Sequence, residues 1–180
     1  VMNDIRPMAI KIGMMGNKDT VEAIVKSLSV YYHGNLVVDS VLVSTSGSVL
    51  LDNDAIDIMC RKLLPMATVI TPNIHEAEVL ANMKIINKDD IKLAARRILD
   101  YGCGAVLIKG GHIEGNNKCD ILVERKQNGY YEEHEYNSIT VDSKNTHGTG
   151  CTLSSAIAAY LAQGMNLPNA VKEAKEYVTM

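Results

Sequence analysis

Short apolar runs alternate with amphipathic helical patterns along almost the whole 180-residue chain. Ala9–Met14, Leu36–Leu42, Thr68–Thr71 and Ala105–Lys109 read as buried strands. Thr20–Tyr32 sets Val21, Ile24, Val25 and Leu28 on one helical face. Ala55–Leu64 reads as a helix stopped by Pro65, and Glu76–Ala81 as a short helix. Asn87–Tyr101 has Asn87 as cap, Ile91, Ala94, Ala95 and Ile98 as apolar face, and Gly102 at its C-terminus. Ile121–Glu124 and Tyr130–Tyr136 flank Lys126–Gly129 as a hairpin. Thr149–Ala162, capped by Gly164, and Asn169–Val178 are the last helices. Strands that alternate with helices form βαβ units, so the sheet is expected to be mostly parallel, with helices on both faces. The expected fold class is α/β, a three-layer αβα arrangement with an antiparallel edge hairpin, in a single domain over residues 1–180.

Composition narrows the partners. The formal net charge of −3 leaves no basic footprint for nucleic acid. No apolar run reaches the roughly 20 residues that span a bilayer, and no secretory leader is visible. Cys60, Cys103, Cys119 and Cys151 are scattered without a C-x-x-C pair, which argues against zinc and against a disulfide framework. A reducing cytoplasm is the expected compartment. Cys60, Cys103 and Cys119 lie in helix, helix-end and strand patterns and read as core or neutral residues. With no Trp or Phe, aliphatic side chains, Met and Tyr must fill the core.

Ligands of open parallel sheets gather beyond the carboxyl ends of the strands. That rule selects the loops Gly13–Gly16, Asp39–Gly47, Thr71–Glu76, Lys109–His112 and Thr146–Cys151. The last is the most informative. Asn145-Thr146-His147-Gly148-Thr149-Gly150-Cys151 is a glycine-punctuated turn that opens into an apolar helix. Gly148 and Gly150 allow close backbone approach, and the N–H groups of a helix start suit a phosphate. It is neither a Walker A loop, since no G-K-[ST] follows, nor a dinucleotide fingerprint, since Leu153 holds the third glycine position. Cys151 is expected at the first or second helical position, where a thiolate is favoured. The bland alternative is a small residue packed under the turn. His147 reads either as a substrate contact or as a satisfied loop histidine, and His33 and His134 as solvent-exposed element ends.

The other loops carry matching chemistry. Asp39 lies in an apolar run, where a carboxylate is costly unless paired or bound to metal. Asn73 and Glu76 offer hard oxygens to Mg²⁺ directly or through water. The same two residues fit a helix capping box equally well. Lys109 sits at a strand's carboxyl end, placed to meet a phosphate or simply surface-exposed. Together a carboxylate, an Asn/Glu pair, a lysine and an anion hole at one sheet edge are what phosphoryl transfer requires.

These motifs, in this order, resemble the ribokinase-like superfamily, and within it the hydroxymethylpyrimidine/phosphomethylpyrimidine kinases of thiamine biosynthesis. The resemblance rests on Ile10–Met14, Val37–Val41, Ser46-Gly47, Ala67–Asn73 through Glu76-Ala77, Val106–His112 and Thr146–Ser154. It implies a ribokinase-like fold and Cys151 as catalytic base, a position where most of the superfamily carries aspartate. The Gly148, Thr149, Gly150 and Cys151 amides then form the anion hole. It further implies Asn73 and Glu76 as the Mg²⁺ motif, Asp39 beside metal and phosphates, and Lys109 on the ATP side. Met14 and Val41 match positions that line the pyrimidine pocket. The implied reaction moves the ATP γ-phosphoryl group onto the 5-hydroxymethyl group of 4-amino-5-hydroxymethyl-2-methylpyrimidine, and a second onto the resulting monophosphate. Ser40 stands where the family usually has proline, and Ser44-Thr45 where it usually has Ala-Lys. Loss of that lysine bears on the second transfer.

Alternatives are a pyridoxal or pyridoxine kinase, a non-catalytic kinase-like binding module and, more distantly, an NAD-binding oxidoreductase. The partners expected are the small-molecule pyrimidine and ATP, with neither nucleic acid nor membrane; a homodimer is a further expectation. The domain is expected to be incomplete at both ends, and an isolated piece of this kind to turn over poorly.

Overall fold

The computed structural model describes residues 2–32, 34–42, 51–110, 117–139 and 149–179. The expectations placed on His33, Ser44–Ser48, Gly111-His112 and Thr146–Gly148 lie outside the described residues.

Among these, a six-stranded sheet runs in sequence order: β1 Ala9–Ile12, β2 Asn35–Val38, β3 Val69–Ile70, β4 Ala105–Ile108, β5 Asn117–Arg125 and β6 Tyr131–Ile139. The first four are parallel, and β5 and β6 are antiparallel. The parallel strands are shorter than their apolar runs suggest. Beyond Val38 and Ile70 the chain leaves the ladder for the loops that build the site. The hairpin strands are longer than expected, at nine residues each. Their polar residues hide them in the sequence, because one face of an antiparallel strand can stay wet. Gly129, with φ +80°, closes the turn between them.

Alternation along the strands sorts the core into two layers. Leu36, Val38, Ile70, Val106, Ile108, Ile121 and Val123 pack on one face, with residues of α2 Lys18–Tyr31, α3 Asn53–Ile58, α4 Ile74–Ala81 and α5 Lys88–Leu99. Val37, Val69, Ala105, Leu107 and Leu122 pack on the other, against α6 Thr149–Ala162 and α7 Leu167–Thr179. A short helix, α1 Met2–Ile5, precedes the sheet and was not expected. The three layers match the expected αβα arrangement, and no helix of the described residues is long and apolar enough to cross a membrane.

Local chemistry explains the helix ends. Asn17 Oδ1 accepts from Thr20 N at the start of α2, and Asn87 with Asp90 forms a capping box at α5. The helix expected over Ala55–Leu64 is α-helical only to Ile58. Met59–Leu63 widens into a π turn, and Leu64–Met66 is a 3₁₀ turn containing Pro65. A proline ring clashes with the carbonyl four residues before it in a regular α-helix, and the widened turn removes that clash.

Candidate active site

The carboxyl ends of β1 to β4 surround a buried carboxylate. Asp39 follows β2, and its N–H donates to Ile12 O at 2.8 Å. It is 2% exposed. Its Oδ1 accepts from Lys109 Nζ at 3.1 Å and from Thr71 Oγ1 at 3.2 Å. Its Oδ2 accepts from Ser154 Oγ at 3.2 Å and lies 3.8 Å from Lys11 Nζ. The Cys151 thiol lies near enough to this carboxylate to help hold its charge. Burial acts to raise the Asp39 carboxyl, but the charge and hydrogen bond of Lys109, the charge of Lys11 and the thiol outweigh it and hold it below the ordinary 3.8. A carboxylate in this apolar run needs a counter-charge, and two ammonium groups supply it. The pairing stabilises only because the remaining lone pairs are also occupied.

Cys151 is exposed and lies in the first turn of α6, as its third residue rather than its first or second. A helix start carries the positive end of the helix dipole, and this one lies beside Lys109 and Asp39. Ser154 fixes this helix start to the sheet: its hydroxyl lies 3.2 Å from Asp39 Oδ2, 3.1 Å from Gly150 O and 3.0 Å from Cys151 O. A Cβ at Gly150 would stand 3.2 Å from Lys109 Nζ. Thr149, Gly150, Cys151, Lys109 and Asp39 therefore meet in one place, while Gly148 lies outside the described residues.

Asn73 and Glu76 are found in the capping-box arrangement. Asn73 Oδ1 accepts from Glu76 N, and Glu76 Oε2 accepts from Asn73 N, each at 2.8 Å. Glu76 is 4% exposed. Burial raises its carboxyl above the ordinary 4.5, with the Asn73 N–H and the Lys109 charge pulling against it. A carboxylate has about four lone-pair positions, so the cap leaves room for a further ligand. Capping and metal binding are therefore compatible here. Asn73 also bridges to Lys109 across the sheet end, where Lys109 N donates to Pro72 O at 2.8 Å.

Met14 is 69% exposed beyond β1, and Val41 is half-buried beyond β2, on the same edge. Between Val41 and Asp39, Ser40 is fully buried and its hydroxyl finds no partner among the described residues. Val41 N donates to Asp39 O at 2.9 Å, which makes Ser40 the centre of a three-residue turn. Such a turn holds φ close to the value a proline ring fixes. Ser40→Pro is therefore expected to stabilise the protein by about 1 kcal/mol, by removing a stranded hydroxyl and reducing unfolded-state freedom. A melting temperature raised by about 2–4 °C is the expected reading, and a lowered one would show that the ring does not fit.

Sequence reasoning missed Lys11, Thr71 and Ser154 as partners of Asp39. Lys11 carried a signal, since a lysine inside an apolar strand needs a counter-charge. Thr71 and Ser154 are 32 and 115 residues from Asp39 and carried none. His134 is a correction. It lies within β6 rather than at an exposed end, half-buried beside Glu124 and Glu132 at 3.4 and 3.5 Å. The alternation of β6 sets it on the same face as Glu132 and, across the pair, Glu124. Cys60, Cys103 and Cys119 are buried and free, as expected.

The phosphomethylpyrimidine kinase family profile matches residues 1–180. The chain belongs to the phosphomethylpyrimidine kinase family. It is 40% identical over 179 residues to the hydroxymethylpyrimidine/phosphomethylpyrimidine kinase of Streptomyces coelicolor, covering 99% of this chain and 64% of that protein. The chain thus spans less than two thirds of that relative. The phosphomethylpyrimidine kinase of Clostridium difficile 630 superposes with a TM-score of 0.82 at 41% identity, over 99% of this chain and 71% of that one. A pyridoxal kinase from Staphylococcus aureus, solved with AMP-PCP and pyridoxal, gives 0.84 at 31% identity over 96% and 61%. The fold is ribokinase-like, as the resemblance implied.

Proposed function

We propose that the protein containing this chain transfers the γ-phosphoryl group of ATP to the 5-hydroxymethyl group of 4-amino-5-hydroxymethyl-2-methylpyrimidine, and then to the monophosphate formed. One observation carries the reading: the Lys109 ammonium, the first turn of α6 and the Cys151 thiol converge on Asp39 at the carboxyl edge of the sheet. Family membership supports the same chemistry. Lys109 meets the phosphates of the nucleotide. The amides of Thr149, Gly150 and Cys151, with Gly148 before them, receive charge on the transferring group. Cys151, as the thiolate left once its own proton has passed to solvent, takes the proton of the acceptor hydroxyl as that oxygen attacks the γ-phosphorus and the bond to the ADP leaving group breaks. Met14 and Val41 face the pyrimidine.

The site residues fit Mg²⁺ bound largely through water and phosphate. Glu76, a buried carboxylate with spare lone pairs, and Asn73 would hold it, and the ion would neutralise charge on the phosphate oxygens. Asp39 steadies Lys109 and the helix start rather than serving as a free ligand.

A second reading, pyridoxal as acceptor, is favoured by the likeness to the Staphylococcus aureus enzyme. The full-length protein should be assayed with Mg-ATP on the hydroxymethylpyrimidine, its monophosphate and pyridoxal. Higher kcat/KM on the first two is expected. A marked preference for pyridoxal would reject the first reading, and turnover of none would favour a binding module.

A further inference from the structure

Asp120, on β5, is 7% exposed and makes no hydrogen bond or ion pair with Asp39 or its partners among the described residues. Its Oδ1 accepts from the Gly110 N–H at 2.8 Å. Its Oδ2 receives Lys175 Nζ, which reaches it from α7. The side chains of Lys175 and Asp120 are 13% and 11% exposed, so this ion pair is largely removed from water.

Gly110 directly follows Lys109. The chain there runs hard against β5: a Cβ on Gly110 would come 1.5 Å from Cys119 O. Lys109 N is already tied to Pro72 O on the β3 side. The backbone that carries Lys109 is thus clamped from both sides, by a carbonyl on one and by the Asp120 carboxylate on the other. Alternation of β4 sets Lys109 on the same face as Leu107, the face that α6 and α7 cover. Lys175 also neutralises the Asp120 charge. An unpaired buried carboxylate beside Lys109 would compete with Asp39 for its ammonium.

We infer that Asp120 and Lys175 form a buried ionic clamp that positions Lys109 and thereby sets nucleotide affinity. The inference rests on the kinase reading, in which Lys109 contacts phosphate. Neither residue touches the substrates; both act through Lys109. Asp120→Asn keeps an acceptor for Gly110 but discards the charge pair. Lys175→Met leaves the carboxylate unpaired.

The test measures ADP binding by calorimetry, the KM of the pyrimidine acceptor, and thermal melting, in full-length protein. Asp120→Asn and Lys175→Met are expected to weaken ADP binding about ten- to a hundredfold, because small displacements of a charged contact are costly. The acceptor KM stays unchanged, and Lys175→Arg restores ADP affinity toward that of the unaltered protein. Lys175→Arg keeps both buried polar contacts and Asp120→Asn keeps the one to Gly110, so a folded variant remains if Lys175→Met does not fold. Unchanged ADP affinity in Asp120→Asn overturns the clamp, as does a parallel loss of ADP affinity, acceptor affinity and melting temperature, which marks a merely structural pair. Unaltered protein that binds no ADP overturns the kinase reading and the clamp with it.

Discussion

Replacing Cys151 by alanine in the full-length protein is expected to lower kcat for phosphoryl transfer by about 10²–10⁴-fold, the usual contribution of a positioned general base. Nucleotide affinity should hold, because Lys109 and the backbone amides of the α6 start are left in place. Stability should hold too: Cys151 is exposed and packs under nothing. That exposure removes the bland alternative for this residue, a small side chain buried beneath the turn. The thiol lies near the Asp39 carboxylate, which Lys109 holds in place, so the reacting group is set beside a fixed negative charge. Cys151→Asp is expected to recover part of the rate, since a carboxylate can accept the same proton. Steady-state kinetics with Mg-ATP decide the matter. An alanine variant that turns over at the original rate removes Cys151 from the mechanism and leaves the anion hole as the main contribution of α6.

The sequence discloses the site as a set of places and conceals it as a set of contacts. Asp39 is legible because a carboxylate in an apolar run announces an unmet charge. Helices α5 and α6 are legible because their patterns and ends are local: Asn87 caps α5 three residues before its partner Asp90. The contacts that decide how Asp39 works are not local. Lys109 comes from 70 residues away and Ser154 from 115, and only the order of the sheet brings them together. Asn73 and Glu76 are ambiguous for a different reason. The same two side chains, at the same spacing, satisfy a helix start and offer oxygen to a cation, and the physics does not make these exclusive. The π turn at Met59–Leu63 is hidden because a proline such as Pro65 signals a stop, while its effect in the fold is to widen the preceding turn. The hairpin strands extend past their apolar stretches because Arg125 and Asn137 look like loop residues until one face is known to be wet.

The largest expected loss of stability from a side-chain truncation at the site follows Asp39→Ala. It strands Lys109, Lys11, Thr71 and Ser154 around a void. Removing one partner of a buried pair costs about 3–5 kcal/mol. The lysine side chains are 19% and 20% exposed, so some water reaches them and the low end, about 3 kcal/mol, is expected. Asp39→Asn separates charge from shape, keeping the hydroxyl contacts while discarding the ion pairs. Because the Asp39 carboxyl is held below its ordinary 3.8 in the fold, its ion pairs contribute fully above the pH at which the unfolded carboxyl ionises. They fade as the pH falls through the lower, folded value. The difference in unfolding free energy between the original protein and Asp39→Asn should therefore be widest near pH 7 and narrow progressively as the pH falls below about 4. Glu76 runs the other way: its carboxyl is raised by burial, so its contribution is fully present below the ordinary 4.5 and is lost as the pH rises through the folded value. Glu76→Gln should accordingly gain on the original protein as the pH rises, in the absence of nucleotide and metal. Urea unfolding of the three proteins at about pH 7 and about pH 2.5 separates the two carboxylates. An Asp39→Asn difference of equal size at both would mean that shape, and not the two ammonium groups, keeps Asp39 in place.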